Sequence, residues 1–171
     1  MKSPIYKLLL PLAAGLLALD GTAFAQVADH AVCNNRILSG DYAFTLGGTI
    51  YMPNGAGGTT LVLREGIAMT HFNGQGNLTQ IDYALGNGVA QGPVDRFRTD
   101  ETGSYTVNPD CTGTAEIDFP PAPGATAGAV IKLIFVLARQ GEVIHTVVAE
   151  LIPPGASQPI PASIHSEGTK L

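Results

Sequence analysis

The chain has no tryptophan, 2 cysteines and few charges, with Asp, Glu, Lys and Arg making up only 13% of its residues. These scarcities exclude several classes. Sparse charge beside 45% hydrophobic residues and many glycines points to compact β structure rather than disorder. Basic residues number 9 against 14 acidic ones, for a formal net charge of −5. No basic stripe exists, so neither nucleic acid nor an anionic membrane surface is an expected partner. Nucleophile elbows, phosphate loops and repeated carboxylate motifs are also missing, as are paired ligand spacings. No metal site or cofactor is therefore expected. Beyond the N-terminal segment, apolar residues do not recur at helical spacing over any useful window.

That N-terminal segment is a leader by pattern. Lys2 and Lys7 precede an apolar run from Leu8 to Leu19, and Ala23-Phe24-Ala25 forms a small-x-small cleavage site. The run contains Pro11 and falls short of the ~20 residues that span a bilayer, so no retained span is expected. Cleavage before Gln26 removes Lys2, Lys7 and Asp20 and leaves a single domain of net charge −6. The expected organisation is a signal peptide at 1–25, one β domain at 26–152 and a flexible tail at 153–171 with four prolines. Export to the periplasm or beyond the cell follows. In such a compartment Cys33 and Cys111 form one disulfide. Asp110 and neutral neighbours around Cys111 oppose the low pKa that a reactive thiol needs.

What remains are short runs rich in Val, Ile, Thr, Tyr and Phe, broken by Gly, Asn, Pro and Asp. They cover Gly40–Met52, Thr59–Phe72, Asn77–Gly88, a weak run Val89–Arg98, Ser104–Val107, Thr112–Phe119, Ala129–Ala138 and Glu142–Leu151. Pro93 weakens the fourth, and Thr99–Gly103 reads as a turn. Asn73-Gly74-Gln75-Gly76 makes the second and third runs the firmest hairpin. Short links favour antiparallel neighbours, and about eight twisted strands close on themselves to remove exposed edges. An all-β, antiparallel up-and-down β-barrel is expected, with a two-sheet β-sandwich as the alternative.

Gly40-Asp41-Tyr42, Phe72-Asn73-Gly74-Gln75-Gly76 and Gly103–Thr114, with its Asp110-Cys111-Thr112-Gly113-Thr114, resemble a group of small exported bacterial proteins of unassigned function. The opening Gly-x-Tyr is similar to the Gly-x-Trp of lipocalin-type (calycin) barrels, with Tyr in place of Trp. Barrels of the allene-oxide-cyclase type are similar in architecture. These likenesses imply a barrel and carry no catalytic residue over.

Candidate chemistry lies on the strands. Glu65 and His71 share a face with Leu61, Leu63, Ile67 and Met69, and His145 shares one with Val143, Val147, Ala149 and Leu151. Turned inward, Glu65, His71 and His145 would line one pocket, where a desolvated carboxylate acts as acid or base. A bulge at Gly66 would instead leave Glu65 in solvent. Tyr42, Phe44 and Met69 are the candidate ligand-binding residues. Lys132 is expected to pair with Glu150 or Asp118. Three functions fit: a barrel holding a small apolar molecule, a surface or matrix interaction protein acting through its loops, and an isomerase- or cyclase-type enzyme using Glu65 with His71 or His145. The oligomeric state is not readable from the chain.

Overall fold

Nine strands account for nearly all of the secondary structure. The computed structural model describes residues 32–171 apart from 56, 122, 123 and 125. The expected leader and its cleavage point lie outside the described residues. The strands are β1 (Ser39–Pro53), β2 (Thr59–Asn73), β3 (Asn77–Gly86), β4 (Val89–Ala90), β5 (Arg98–Val107), β6 (Thr112–Asp118), β7 (Val130–Ala138), β8 (Val143–Ile152) and β9 (Ala162–Lys170). Every pairing is antiparallel. The sheet runs β2-β1-β9-β8-β7-β6-β5-β3-β4, and a β2–β3 pairing closes it. The result is an eight-stranded up-and-down barrel with β4 as a short addition beside β3.

Two expectations are corrected. The eighth barrel strand is not the weak run Val89–Arg98, of which only two residues form β4. It is β9, inside the segment expected to be a flexible tail. β9 pairs with β1 from Tyr42↔Lys170 to Ile50↔Ala162 and with β8 from Val143↔Thr169 to Val147↔His165. Without it β1 and β8 would both present open edges, and their unpaired backbone groups supply the drive to order it. The prolines sit before the strand, with Pro161 accepting a hydrogen bond from Tyr51 N–H at 2.9 Å.

Thr99–Gly103 belongs to β5 rather than to a turn. Opposite it, Gln80 pairs with Glu101 and Asp82 with Arg98, so β5 holds extra residues where β3 has only Ile81. This is a β-bulge, and Asp100 sits in it at a φ of 68°. The firm hairpin forms as its sequence requires. Gly74 and Gly76 have φ of 74° and 103°, and Asn73 Oδ1 accepts from the backbone N–H of Gln75 and Asn77.

One end of the barrel is sealed. A 3₁₀ turn at Asn35–Ile37 leads Leu38 into the core, where it is fully buried. Tyr42, Phe72 and Tyr105 stack edge to face beneath it, with centroids 5.3 and 5.1 Å apart. Tyr105 Oη donates to the Leu38 carbonyl at 2.9 Å, and Tyr42 Oη donates to that of Gly141 at 2.6 Å. Burial pushes both phenols above their ordinary pKa. Asn35 Oδ1 accepts from Val107 N–H at 2.7 Å, and the Cys33–Cys111 disulfide, with Cys33 buried in the core, fastens the segment. At the β5–β6 turn, Cys111 takes a φ of 66° and its N–H bonds the Asn108 carbonyl, while Asp110 Oδ1 accepts from Thr112.

Candidate functional site

Above this floor the barrel interior is not filled. A cavity of about 350 Å³ runs from Leu38 and Phe72 toward the opposite end, where the loops after β1, β3, β6 and β8 meet. The reason lies in the inward faces. On β2 they carry Arg64, Gly66, Ala68, Thr70 and Phe72. Small side chains in the middle leave space that a Leu or Ile would occupy. The opposing wall is apolar, with Ala115, Ile117, Ile131 and Leu133 from β6 and β7.

The polar groups gather on the β2–β3–β5 wall. Arg98 grips Asp82 with two nitrogens, at 3.0 Å from Nε to Oδ1 and 2.6 Å from Nη2 to Oδ2. Nε also donates to Glu101 Oε1 at 2.7 Å. Gln80 Nε2 donates to Glu101 Oε2, and Thr70 Oγ1 donates to Gln80 Oε1, each at 2.8 Å. The chain Thr70–Gln80–Glu101–Arg98–Asp82 therefore leaves few polar atoms unmet. The guanidinium of Arg98 also lies 4.5 Å from the centre of the Phe119 ring.

The β5 bulge makes this network possible. Arg98 and Glu101 are three residues apart, and a regular strand would send them to opposite faces. The bulge brings both inward. Glu101 is 1% exposed and Asp82 4%. Burial first, then the negative charge of Asp82, pushes the Glu101 carboxyl up to about 7, against the pull of Gln80 and Arg98. For Arg98 the effect of burial is outweighed by Asp82 and Glu101, and its pKa rises. Arg64, nearer the open end, is held below the ordinary arginine value, by burial first and by Arg98 second.

The three catalytic candidates are not in this lumen. Glu65 and His71 alternate with the inward set on β2, so both face outward and are exposed. His71 Nδ1 lies 2.8 Å from Asp41 Oδ1 on β1. His145 faces outward beside Glu167 of β9 at 3.2 Å. Strands β1 and β9 separate β2 from β8, so no pocket unites the three. Of the candidate ligand-binding residues, Phe44 lines the cavity and Tyr42 lies in its floor. Met69 is on the outer wall, 42% exposed. The outer face of β2, with Leu61, Leu63, Ile67 and Met69, is the more apolar one, which is why apolarity points to the wrong side. On β8 the alternation is broken between Val148 and Glu150, so Leu151 turns inward while His145 stays out. Gly66 needs no bulge, because both of its pairings run in unbroken register. Lys132 pairs with Glu150 at 2.8 Å on the surface.

No family model, curated protein or solved structure matches this chain. The short likenesses at Gly40–Tyr42, Phe72–Gly76 and Gly103–Thr114 thus transfer no role to any residue. Among the described residues, no helix is long and apolar enough to cross a membrane. No group of three or more His, Cys, Asp or Glu among them is placed to hold a metal ion.

Proposed function

We propose that this protein is an exported barrel that binds a small, mainly apolar molecule in its lumen. The observation that carries the reading is the cavity, about 350 Å³ in volume, floored by aromatics and walled mostly by apolar side chains. Ligand sites typically have about this size, an apolar lining and a few placed polar groups. Here the placed groups are Arg64, Gln80, Asp82 and Arg98. A barrel meant only as a scaffold would fill such space with side chains. Support for export comes from the disulfide, which uses both cysteines and suits an oxidising compartment.

The reading is tested by native mass spectrometry of protein purified from its host, with Ala115→Trp as the control. Ala115 lines the cavity, and an indole there would occupy it. A retained small molecule in the wild type that is lost in Ala115→Trp is expected. Both folded proteins appearing only at their own unliganded masses would count against it.

A further inference from the structure

Four ionisable side chains project from the β2–β3–β5 wall on its luminal side: Arg64, Asp82, Arg98 and Glu101. Three of them satisfy one another. Arg98 is held by both carboxylates, and Glu101 is also held by Gln80. Arg64 has neither an ion pair nor a side-chain hydrogen bond among the described residues. A guanidinium carries five N–H donors and no acceptor. Half-buried beside an apolar cavity, it sits where an unmatched charge is unfavourable.

Local geometry frames this cation. Arg64 pairs across the β2–β3 ladder with Gly86. A Cβ at Gly86 would come within 3.3 Å of Arg64 Nη1 and 2.8 Å of Gln91 Nε2. The missing side chain thus lets the guanidinium and the Gln91 amide lie together over the backbone at the open end. The guanidinium presents its N–H groups there, and Gln91 Nε2, which spends one N–H on the Val89 carbonyl at 3.1 Å, keeps a second. The wall as a whole is neutral with Glu101 ionised and carries +1 with Glu101 protonated, so it never becomes anionic. From Arg64 the cavity descends to Phe72 and Leu38 along mostly apolar walls.

We infer that the lumen takes an amphipathic anion, its acidic head group held by Arg64 beside Gln91 and its apolar body lying toward Phe72 and Leu38. This rests on the lumen-binding reading and assigns the ligand's chemical class. The carboxylate or sulfonate of such a molecule supplies the acceptors that Arg64 lacks, in the planar fork geometry that arginine favours. Asp82 and Glu101 sit further along the same wall. Both are already engaged by Arg98, so Arg64 is the one luminal cation of this wall left without a carboxylate partner among the described residues.

The test uses two fluorescent probes with the same aromatic body: anilinonaphthalene sulfonate and the uncharged phenylnaphthylamine. The full exported chain is titrated with each, as wild type, Arg64→Gln, Arg64→Lys and Ala115→Trp. The expected result is that Arg64→Gln weakens the sulfonate probe about tenfold or more, as loss of a charge-assisted hydrogen bond implies. The uncharged probe should change less than about twofold, because its burial is unaltered. Arg64→Lys should recover part of the sulfonate affinity, and Ala115→Trp should abolish both. Equal weakening of both probes by Arg64→Gln, or no weakening of either, overturns the assignment of the head group. If the uncharged probe alone binds the wild type, the lumen reading survives and the anion inference falls. If neither probe binds, both fall together. Should Arg64→Gln not fold, the ratio of the two affinities in Arg64→Lys decides.

Discussion

The ring of Phe135 occupies the space that a side chain at Gly113 would need. The two residues face each other across β6 and β7, and a Cβ on Gly113 would lie 2.2 Å from Phe135 Cζ. The Thr106 carbonyl would be 2.4 Å away on the other side. Gly113 has no positive φ, so space rather than backbone conformation selects glycine here. The same device recurs where the Phe44 ring covers Gly168 of β9. Gly113→Ala should therefore destabilise by overpacking, with Tm lowered by about 3–9 °C. Combining it with Phe135→Leu should cost less than the sum of the two changes, because one relieves the other. Additive losses in thermal melts would refute the steric account.

Removing the disulfide should be costly. Cys33 and Cys111 are 78 residues apart, and cross-linking a loop of that length stabilises by about 4.5 kcal/mol in the chain-entropy model. Cys33 also donates its N–H to the Pro109 carbonyl, so the bridge holds the segment that leads into Leu38. A Cys33→Ser/Cys111→Ser double variant should unfold at markedly lower denaturant concentration, with a steeper slope because the uncross-linked denatured chain exposes more surface. Intact protein alkylated without reductant should take up no label, and two labels would show that the bridge does not form.

Stability should fall as pH rises through the range set by Glu101. Its folded pKa of about 7 lies above the ordinary value of 4.5. Below the lower value both states hold the proton, and no penalty exists. Between the two the unfolded chain releases its proton while the folded protein retains it, so unfolding is increasingly favoured. Above about 7 the loss is complete. Glu101→Gln abolishes this titration while keeping the shape that reaches Arg98 and Gln80. Melting curves between pH 4.5 and 8 should show a steeper decline in the wild type than in the variant. Parallel curves would place the titration elsewhere.

The outward register makes a contrary forecast for residues that look chemical. Glu65→Gln, His71→Ala and His145→Ala should each change stability by less than about 1 kcal/mol, since exposed ion pairs contribute little. Probe binding in the lumen should not change at all. A lumen-specific loss on replacing His145 would contradict the assigned face of β8.

Much of the barrel can be read directly from residues, and its luminal wall cannot. Asn73-Gly74-Gln75-Gly76 announces its hairpin because the turn demands positive φ and an Asn acceptor. Tyr42 and Phe44 are legible as inward because large aromatics alternate there. β2 misleads because its cavity side is small and polar while its solvent side is Leu, Ile and Met. The Asp82–Arg98–Glu101 cluster is hidden for another reason. Its spacing of three matches neither strand face, and only the bulge at Thr99–Asp100 reconciles it. Glu101, within Thr99-Asp100-Glu101-Thr102-Gly103, looks like a turn residue, and Arg98 like the end of a weak strand, until the strand opposite is known.

The final strand gives the sharpest test of how the barrel closes. β9 is poor in large apolar residues: Ser163, Ser166, Gly168 and Thr169 contribute little hydrophobic area. Its place is secured by two ladders and by the contact of Ser166 Oγ with Thr146 Oγ1 at 2.7 Å. The glycine is required, because a Cβ at Gly168 would lie 2.3 Å from the Phe44 ring. Ending the chain after Pro161 should open both β1 and β8 and produce an aggregating protein without cooperative melting. Gly168→Val, which keeps the strand but displaces Phe44 from the cavity wall, should fold with reduced Tm and weaker probe binding. A truncated chain that stays monomeric and melts as the full one does would mean that eight strands are not needed to hold the barrel.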